Sequence, residues 1–416
     1  MVRLHRDSMP QGGKSVVRSR PGAPPRGTAG RSKVESTRTP GETTERRKEW
    51  TLGRHRPRPK ARGAVSNPTG RYERLQYASP GEWDGASEGE PPRLETTVTP
   101  ERVRRIITRN DSPDVPFDQS INPYKGCEHG CVYCFARSSH AYLGLSPGLD
   151  FETRIFSKPD GPGCLRQELR RPGYRVQPLA LGANTDPYQP VERRLSLTRR
   201  LLEVLAEHEH PFTVATKSDL VLRDLDLLAE RAHKRLAAVL VSLTTIDPDL
   251  ARRMEPRAPT PARRLTAIRE LSHAGVPVTV LASPMIPGLN DSEVEAILEA
   301  SAAAGARSAR YILVRLPLEV KDLFSEWLEA EYPDRASRVL GLIRQTRGGK
   351  LYDSRFGARV RGEGPYAELL ERRFRIARSR LGLKDRPPPL DTTQFRVPPV
   401  DDGQGSLFPV GPEARR

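Results

Sequence analysis

Between about residue 100 and residue 350, short apolar runs alternate with stretches whose apolar side chains recur at helical spacing. The strand-like runs fall at 119–123, 178–182, 212–216, 238–244, 277–283 and 310–316. Two of the intervening stretches carry clear helix punctuation. Thr260 stands where an N-cap belongs, and Pro261 follows at the first helical position. Leu265, Ile268 and Leu271 then mark one face before Gly275 ends the helix. The next unit repeats the scheme, with Asp291 or Ser292 as cap, Val294, Ile297 and Leu298 facing inward, and Gly305 as the stop. Helix, glycine and strand in succession predict βαβ units and a parallel sheet. The expected fold class is α/β, an open, partial (β/α)6 barrel. A doubly wound sheet has the same periodicity and stays open as the alternative.

The flanking segments read differently. Residues 1–95 are rich in Arg, Pro, Gly, Ser and Thr and poor in aliphatics. Such a segment cannot bury enough apolar surface to offset its chain entropy, so a disordered basic tail is expected there. Residues 96–350 make the core domain, and 351–383 a helical extension with one helix near 364–380. Residues 384–416 are Pro-rich and read as a flexible tail.

Charge sharpens this division. The chain has 69 Lys+Arg against 52 Asp+Glu, a net +17. Residues 1–64 hold 17 Lys+Arg and 5 Asp+Glu, so +12 of the +17 sits there. A basic tail is a weaker sign of nucleic acid than a basic groove, but it is a candidate DNA-binding arm. No run approaches the roughly 18 apolar residues of a membrane span, so no membrane partner is expected. The first 25 residues lack the apolar centre of a secretory signal. Four cysteines in 416 residues do not make a disulfide framework. A soluble protein of the reducing cytoplasm is the expectation.

Polar residues collect just past the strand ends. The first run leads to Cys127, the second to GANTDPYQP (182–190), and the third to TKSD (216–219). The fourth ends in SLTT (242–245) and the fifth enters SPMIPGLND (283–291). In parallel α/β folds that rim carries the active site. Helix caps explain Asp291 and Ser292 equally well, but they do not explain NTDPY or TKS.

Three of the four cysteines, Cys127, Cys131 and Cys134, lie within GCEHGCVYCF (126–135). Cysteine thiolates bind zinc and iron–sulfur clusters. A structural zinc site wants four closed ligands, and here His129, His140 or Cys164 would have to supply the fourth. An iron–sulfur cluster held by three thiolates leaves one iron open to a small molecule. A buried structural role suits this loop poorly, because it also carries Glu128, His129 and two glycines.

The spacing Cys127-x-x-x-Cys131-x-Tyr133-Cys134 resembles the radical S-adenosylmethionine (SAM) motif, CxxxCx(aromatic)C. INPYKGCEHGCVYCFAR (121–137), GANTDPYQPVE (182–192), ATKSDLVLRDLDLL (215–228), VSLTTIDPDLARRMEPRAPTPARRL (241–265) and PMIPGLND (284–291) together look like the spore photoproduct lyase-like, or DNA repair photolyase-like, branch of that superfamily. The resemblance covers about residues 100–350. It implies a [4Fe–4S] cluster on Cys127, Cys131 and Cys134, with the SAM amino and carboxylate groups on the fourth iron. Reductive cleavage of SAM would give methionine and a 5′-deoxyadenosyl radical that takes hydrogen from the substrate. An electron donor of flavodoxin or ferredoxin type is implied.

The resemblance also implies site roles. Tyr133 would lie along the cofactor near its adenine. Many members carry a GGE-like motif after the second strand for the SAM amine. Here Asn184 and Asp186 stand in its place. Lys217 could pair with the SAM carboxylate. Ser242 and Thr244, on one face of their strand, could reach the ribose or the amino-acid end. Arg257 would contribute to the carboxylate or shape its loop. Residues 286–290, from Ile286 to Asn290, would cradle adenine. Cys164 is the one further cysteine, read at a helix start that would lower its thiol pKa, and is a candidate hydrogen donor. The substrate expected from the resemblance is nucleic acid, with modification of RNA or protein as the alternative. A non-catalytic iron–sulfur or zinc protein bound to DNA is the rival outside enzymology. Gln404-Gly405-Ser406-Leu407-Phe408 resembles the bacterial sliding-clamp-binding pentapeptide, in which Leu407 and Phe408 would fill an apolar pocket and Gln404 would anchor by hydrogen bonds.

Overall fold

Six apolar runs pair side by side in chain order. In this computed structural model, which describes residues 59–73 and 94–399, they are β3 (Gln119–Ile121), β6 (Leu179–Leu181), β7 (Phe212–Thr216), β8 (Ala237–Ser242), β9 (Val278–Met285) and β10 (Ser308–Leu313). Every pair from β3 to β10 is parallel. β2 (Ile107–Arg109) adds an antiparallel edge on β3. The sheet order, β10-β9-β8-β7-β6-β3-β2, is that of an open barrel grown one βα unit at a time. A doubly wound sheet would reverse direction from its middle, and this one does not. A second sheet of order β1-β5-β4 joins β1 (Thr97–Pro100), β5 (Arg154–Ser157) and β4 (Tyr124–Lys125) beside the cysteine loop.

Why these runs are strands is plain from their burial. β8 is apolar and buried on nearly every position, as a parallel strand covered on both faces must be. Leu201, Leu205, Ile268, Leu271, Ile297 and Leu298 come from the helices Leu197–Glu207, Pro261–His273 and Val294–Ala303, and all are buried in the core the strands line. Pro261 opens its helix as expected, although Thr260 makes no side-chain cap bond. Asp291 is not a simple cap. A short 3-10 turn, Asp291–Glu293, precedes the helix, and the Asp291 carboxylate takes the Gly288 amide and the Tyr366 hydroxyl. Tyr366 belongs to the extension helix Pro365–Arg380, close to the expected 364–380.

Two stretches read as tails are packed. Lys384 bridges to the open edge of β10, where Ala309 donates to its carbonyl (3.0 Å) and its amide donates to Arg307 (3.0 Å). That covers an otherwise exposed strand edge. Further on, the Asp391 amide reaches Arg235 (2.9 Å) and the Arg396 amide reaches His208 (3.0 Å). Phe395 sits against Tyr174, His208 and His210. Arg235, His208 and Arg307 all precede their strands, so residues 384–399 close the barrel's N-terminal end, away from the rim. At the other end of the chain, residues 59–73 lie against the cysteine loop. Arg62, Gly63 and Ala64 are buried there. Proline content and low hydropathy were misleading in both places, because these segments are held by backbone hydrogen bonds and a few anchors. The pentapeptide 404–408 lies outside the described residues.

Removing the Phe395 ring should lower stability without touching the rim. Phe395→Ala is expected to cost about 1–2 kcal/mol, less than a fully buried Phe because the site is half-exposed. Equilibrium denaturation measures it, and an unchanged midpoint would show that the segment is not a working part of the fold.

Candidate active site

The cysteine loop cannot hold its own shape, since it has no regular structure from Gly126 to Val132. Other elements hold it. The Cys127 amide donates to Phe151 (2.9 Å) and the Val132 amide to Met254 (3.1 Å). Gln189 takes the Glu128 amide (2.9 Å) and donates to the Gly126 carbonyl (3.0 Å). Arg257 donates its amide to the His129 carbonyl (3.2 Å), and its guanidinium lies 3.1 Å from Glu128 Oε1. Cys127 and Cys131 are buried and Cys134 is partly exposed.

The stretch NTDPYQPVE after β6 supplies several of these tethers. Thr185 Oγ1 donates to the Tyr124 carbonyl (2.8 Å), and Tyr188 OH donates to Asp224 (2.8 Å). Glu192 takes the Tyr124 hydroxyl and the Leu197 and Thr198 amides. Asp186 is the centre of the group. Its carboxylate accepts from the Tyr188 amide (2.9 Å), Thr216 Oγ1 (2.7 Å) and the Lys217 amide (2.8 Å). His129 Nδ1 lies 3.3 Å from it, an electrostatic contact rather than a well-aligned hydrogen bond. Burial alone would raise the Asp186 pKa, but His129 and the hydrogen bonds hold it down at about 2. Two carboxylate oxygens offer about four acceptor positions, of which three are taken by hydrogen bonds while His129 faces the group as well. Asp186 is therefore a brace between β7 and the cysteine loop.

Behind Tyr133 lies a second buried network, centred on Glu255. Its carboxylate takes the hydroxyls of Tyr133 and Thr244 (the latter at 2.7 Å) and pairs with Arg264. Desolvation opposes the charge, yet Arg264 and then Lys217 hold the Glu255 pKa at about 2. Arg264 also donates to the Ser242 carbonyl (3.2 Å). Neither Glu255 nor Arg264 stood out in the sequence. The only signal was for Glu255, in MEPRAP (254–259); Arg264 lies beyond it, in the helix Pro261–His273, and carried none.

Several expected cofactor residues turn out to be committed elsewhere. Thr244 Oγ1 is spent on Glu255 and on the Ser283 carbonyl (3.2 Å). Asn290 uses both amide hydrogens on the Thr244 and Pro284 carbonyls (2.8 and 3.0 Å), and its oxygen takes the Ile286 amide (2.7 Å). Residues 286–290 are thus a turn braced by Asn290, with the Ile286 amide already used. Arg257 serves the loop-shaping role. Cys164 is not at the rim. It sits in the helix Gly161–Leu169, packs against the main sheet core, and its thiol donates to the Val103 carbonyl (3.1 Å). Burial, with Glu168 and Asp160 nearby, raises its pKa, opposite to the helix-terminus expectation.

Other groups stay available. The Lys217 ammonium stands 5.8 Å from the Tyr133 ring centre and makes no hydrogen bond or ion pair among the described residues. Burial disfavours its charge, but Cys131 and Glu255 outweigh that and raise its pKa. The half-buried Asn184 side chain has no hydrogen-bond partner among the described residues; its backbone amide donates to Asn122 Oδ1 (2.9 Å). The Ser283 hydroxyl is buried without a partner. The Ser242 hydroxyl is likewise without one among the described residues. Asn184, Lys217 and Ser242 stand at or after the C-terminal ends of β6, β7 and β8, and Ser283 lies two residues before the end of β9, so the four occupy consecutive positions around the rim.

The thiols fit a metal cluster. Burial, then Asp186 and the neighbouring thiols, push Cys127 well above the ordinary thiol range. Burial pushes Cys131 up to about 12 and raises Cys134. Such thiols give up protons only to a cation that replaces them, which is how cluster iron binds. Among the described residues, no three Cys, His, Asp or Glu side chains converge on a single-ion site. Three thiolates that each take a separate iron need no such convergence. His140 is buried, bonded to the Arg154 carbonyl (3.0 Å), with its pKa lowered by burial to about 4.

Comparison with known proteins agrees with this reading. A family model described as the radical SAM superfamily matches residues 121–300. An uncharacterized protein of Mycobacterium tuberculosis (strain ATCC 25618 / H37Rv) is 38% identical over 288 residues, which is 68% of this chain and 81% of that protein. An uncharacterized protein of Methanocaldococcus jannaschii is 28% identical over 216 residues, 51% of this chain and 76% of that one. Among solved structures, a spore photoproduct lyase complexed with dinucleoside spore photoproduct aligns with a TM-score of 0.49 at 15% identity, over 69% of this chain and 80% of that one. The family match begins at β3, the strand that leads into the cysteine loop, and takes in all three of its cysteines: the chain belongs to the radical SAM superfamily.

Proposed function

We propose that this radical SAM enzyme holds its [4Fe–4S] cluster on Cys127, Cys131 and Cys134, binds SAM across Asn184, Lys217, Ser242 and Ser283, and acts on nucleic acid. The observation that carries the cofactor reading is the pairing of three thiols, two buried and one partly exposed, with four unspent polar groups on the adjoining rim. When bound, the cluster and SAM supply a 5′-deoxyadenosyl radical that abstracts hydrogen from a substrate. The chain's own residues position and shield. Lys217 offers the only kind of charge that suits an amino-acid carboxylate. The Asn184 amide can accept from an ammonium, and the two serine hydroxyls suit ribose or carboxylate oxygens. Tyr133, pinned by Glu255, presents a fixed ring wall between these groups and the loop. The buried Asp186 and Glu255 networks keep the rim rigid, which is the protein's main contribution in cofactor chemistry.

The nucleic-acid reading rests on two stacks of an exposed aromatic ring and an arginine, one of them next to Cys134. Phe135, exposed and next to Cys134, lies under the Arg315 guanidinium (4.9 Å from the ring centre). Phe356, also exposed, lies under Arg359 (4.4 Å). Asp114 pairs with Arg359 and feels the Arg315 charge, so the two stacks belong to one electrostatic group. Exposed rings stack on bases and arginines track phosphates in single-strand binding. A reductant of flavodoxin or ferredoxin type, and clamp capture through residues 404–408, belong to the same proposal. They extend it from the sequence motifs.

Two experiments test it. After anaerobic reconstitution the wild-type chain should hold about four irons and, with dithionite and SAM, release 5′-deoxyadenosine. Alanine at Cys127, Cys131 or Cys134 should abolish both. Lys217→Ala should keep the iron and weaken SAM binding roughly 10–100-fold, the worth of one charge-assisted hydrogen bond. Zinc in place of iron would end the radical reading. For the substrate, fluorescence anisotropy with a single-stranded oligonucleotide should show Arg315→Ala and Phe356→Ala each weakening binding about tenfold. Unchanged affinity would remove nucleic acid and favour a protein substrate.

A further inference from the structure

Residues 59–73 approach the cysteine loop more closely than any ordinary surface segment would. Gly63 packs so tightly on the loop that a Cβ there would overlap the Gly130 carbonyl oxygen. Gly130 itself has φ +70°, a left-handed conformation that favours glycine. The two glycines meet backbone to backbone, between Cys127 and Cys131.

The contacts of this strap converge on one buried ion pair. Arg137 Nη2 lies 2.5 Å from Glu152 Oε1, and both side chains are fully buried. Arg137 gives its other donors to the carbonyls of Cys131 (2.8 Å), Gly130 (3.1 Å), Pro147 (3.1 Å) and Gly148 (2.9 Å). Glu152 is completed by the strap, accepting from the amides of Gly63 (2.9 Å) and Ala64 (2.8 Å). Arg62 reaches the Glu152 carbonyl (2.9 Å) and the Leu94 carbonyl (2.5 Å). Val65 packs against the apolar group that contains Cys131 and Tyr133. The strap is then fastened at its far end, by Ser66 to Glu326 (2.5 Å), Asn67 to Asp150 (3.1 Å) and Arg71 to Glu319 (2.7 Å).

A desolvated ion pair adds little net stability by itself, so its geometry is the better guide to its use. Here the remaining bonds of the pair run to the strap, to the Gly130 and Cys131 carbonyls of the backbone that carries the cluster ligands, and to the Pro147 and Gly148 carbonyls that anchor Arg137. We propose that residues 62–67 are a wall of the cluster site: through Glu152 and Arg137 they fix the Gly130–Cys131 backbone, and they close the cluster off from solvent and dissolved dioxygen. Glu152 and Arg137 are positioning residues, acting on the cluster through the loop. The inference rests on the cluster reading above.

The test uses the full chain, reconstituted anaerobically, with three variants: Gly63→Ala, Glu152→Gln, and the double variant Ser66→Ala/Arg71→Ala. The last loosens only the strap's far fastening and leaves the buried pair intact, so it carries the test if the other two fail to fold. Iron per chain, the electron paramagnetic resonance signal of the reduced cluster, and the bleaching rate of its absorbance in air-saturated buffer are read together. Outer-shell changes at metal sites typically cost roughly 10–100-fold, and bleaching faster by that factor is expected for Gly63→Ala and Glu152→Gln, with a shifted resonance signal. The double variant should move in the same direction by a smaller factor. Wild-type bleaching and an unshifted signal in the folded variants would overturn the strap's role while leaving the cluster reading in place. A wild-type chain that takes up no iron would overturn both.

Discussion

The rest of the structure depends on a loop that has to be held from outside. Residues 126–132 carry two cysteines, left-handed glycines at both 126 and 130, and no secondary structure. A buried backbone of this kind needs a partner for nearly every amide and carbonyl. Gln189 serves Gly126 and Glu128, Arg257 serves His129, Arg137 serves Gly130 and Cys131, and Met254 serves Val132. These partners come from three crossovers, β3 to β6, β6 to β7 and β8 to β9. The parallel sheet brings them together, because each of those crossovers begins where a strand ends on the same rim. Fold and site are therefore one problem: the sheet could tolerate a different loop, but this loop could not exist on a different sheet.

Charge at the rim follows the same economy. Two carboxylates, Asp186 and Glu255, are buried within the electrostatic range of the thiols, and each is neutralised locally by donors of its own. What is left without a direct partner among the described residues is a cation. Lys217 faces the Tyr133 ring, near the Cys131 thiol and the Glu255 carboxylate, without a hydrogen bond or ion pair. A partly buried ammonium without a direct partner favours something anionic beside it, and that asymmetry gives the rim its direction.

The sheet was readable in the sequence and the chemistry of individual rim residues only half so. β7 appears at its observed limits and β6 within one residue at each end, since buried parallel strands leave uninterrupted apolar runs. The stretch NTDPYQPVE stood out as too polar and too specific for a turn. Its purpose did not, because a sequence shows that Asp186 can accept hydrogen bonds without showing that three of its acceptor positions are already taken. Asn290 and Thr244 are the same case: the sequence shows what each can bond, not that those bonds are made within the fold. Glu255 was hidden by an ordinary-looking Glu-Pro-Arg. The strap was hidden more thoroughly: Arg62, Gly63 and Ala64 look like linker, and what they contribute is backbone amides and the absence of a side chain. Hydropathy cannot register either.

The two outermost described segments give the domain two unlike poles. Residue 59 lies beside the cysteine loop, whereas the stretch up to residue 399 runs along the face where the strands begin. A fluorophore placed at residue 399 would report from the face where the strands begin, away from the rim. The same probe placed at residue 59 would report from beside the cysteine loop. For a molecule whose chemistry happens at one end only, the choice of labelling position is a choice about what is seen.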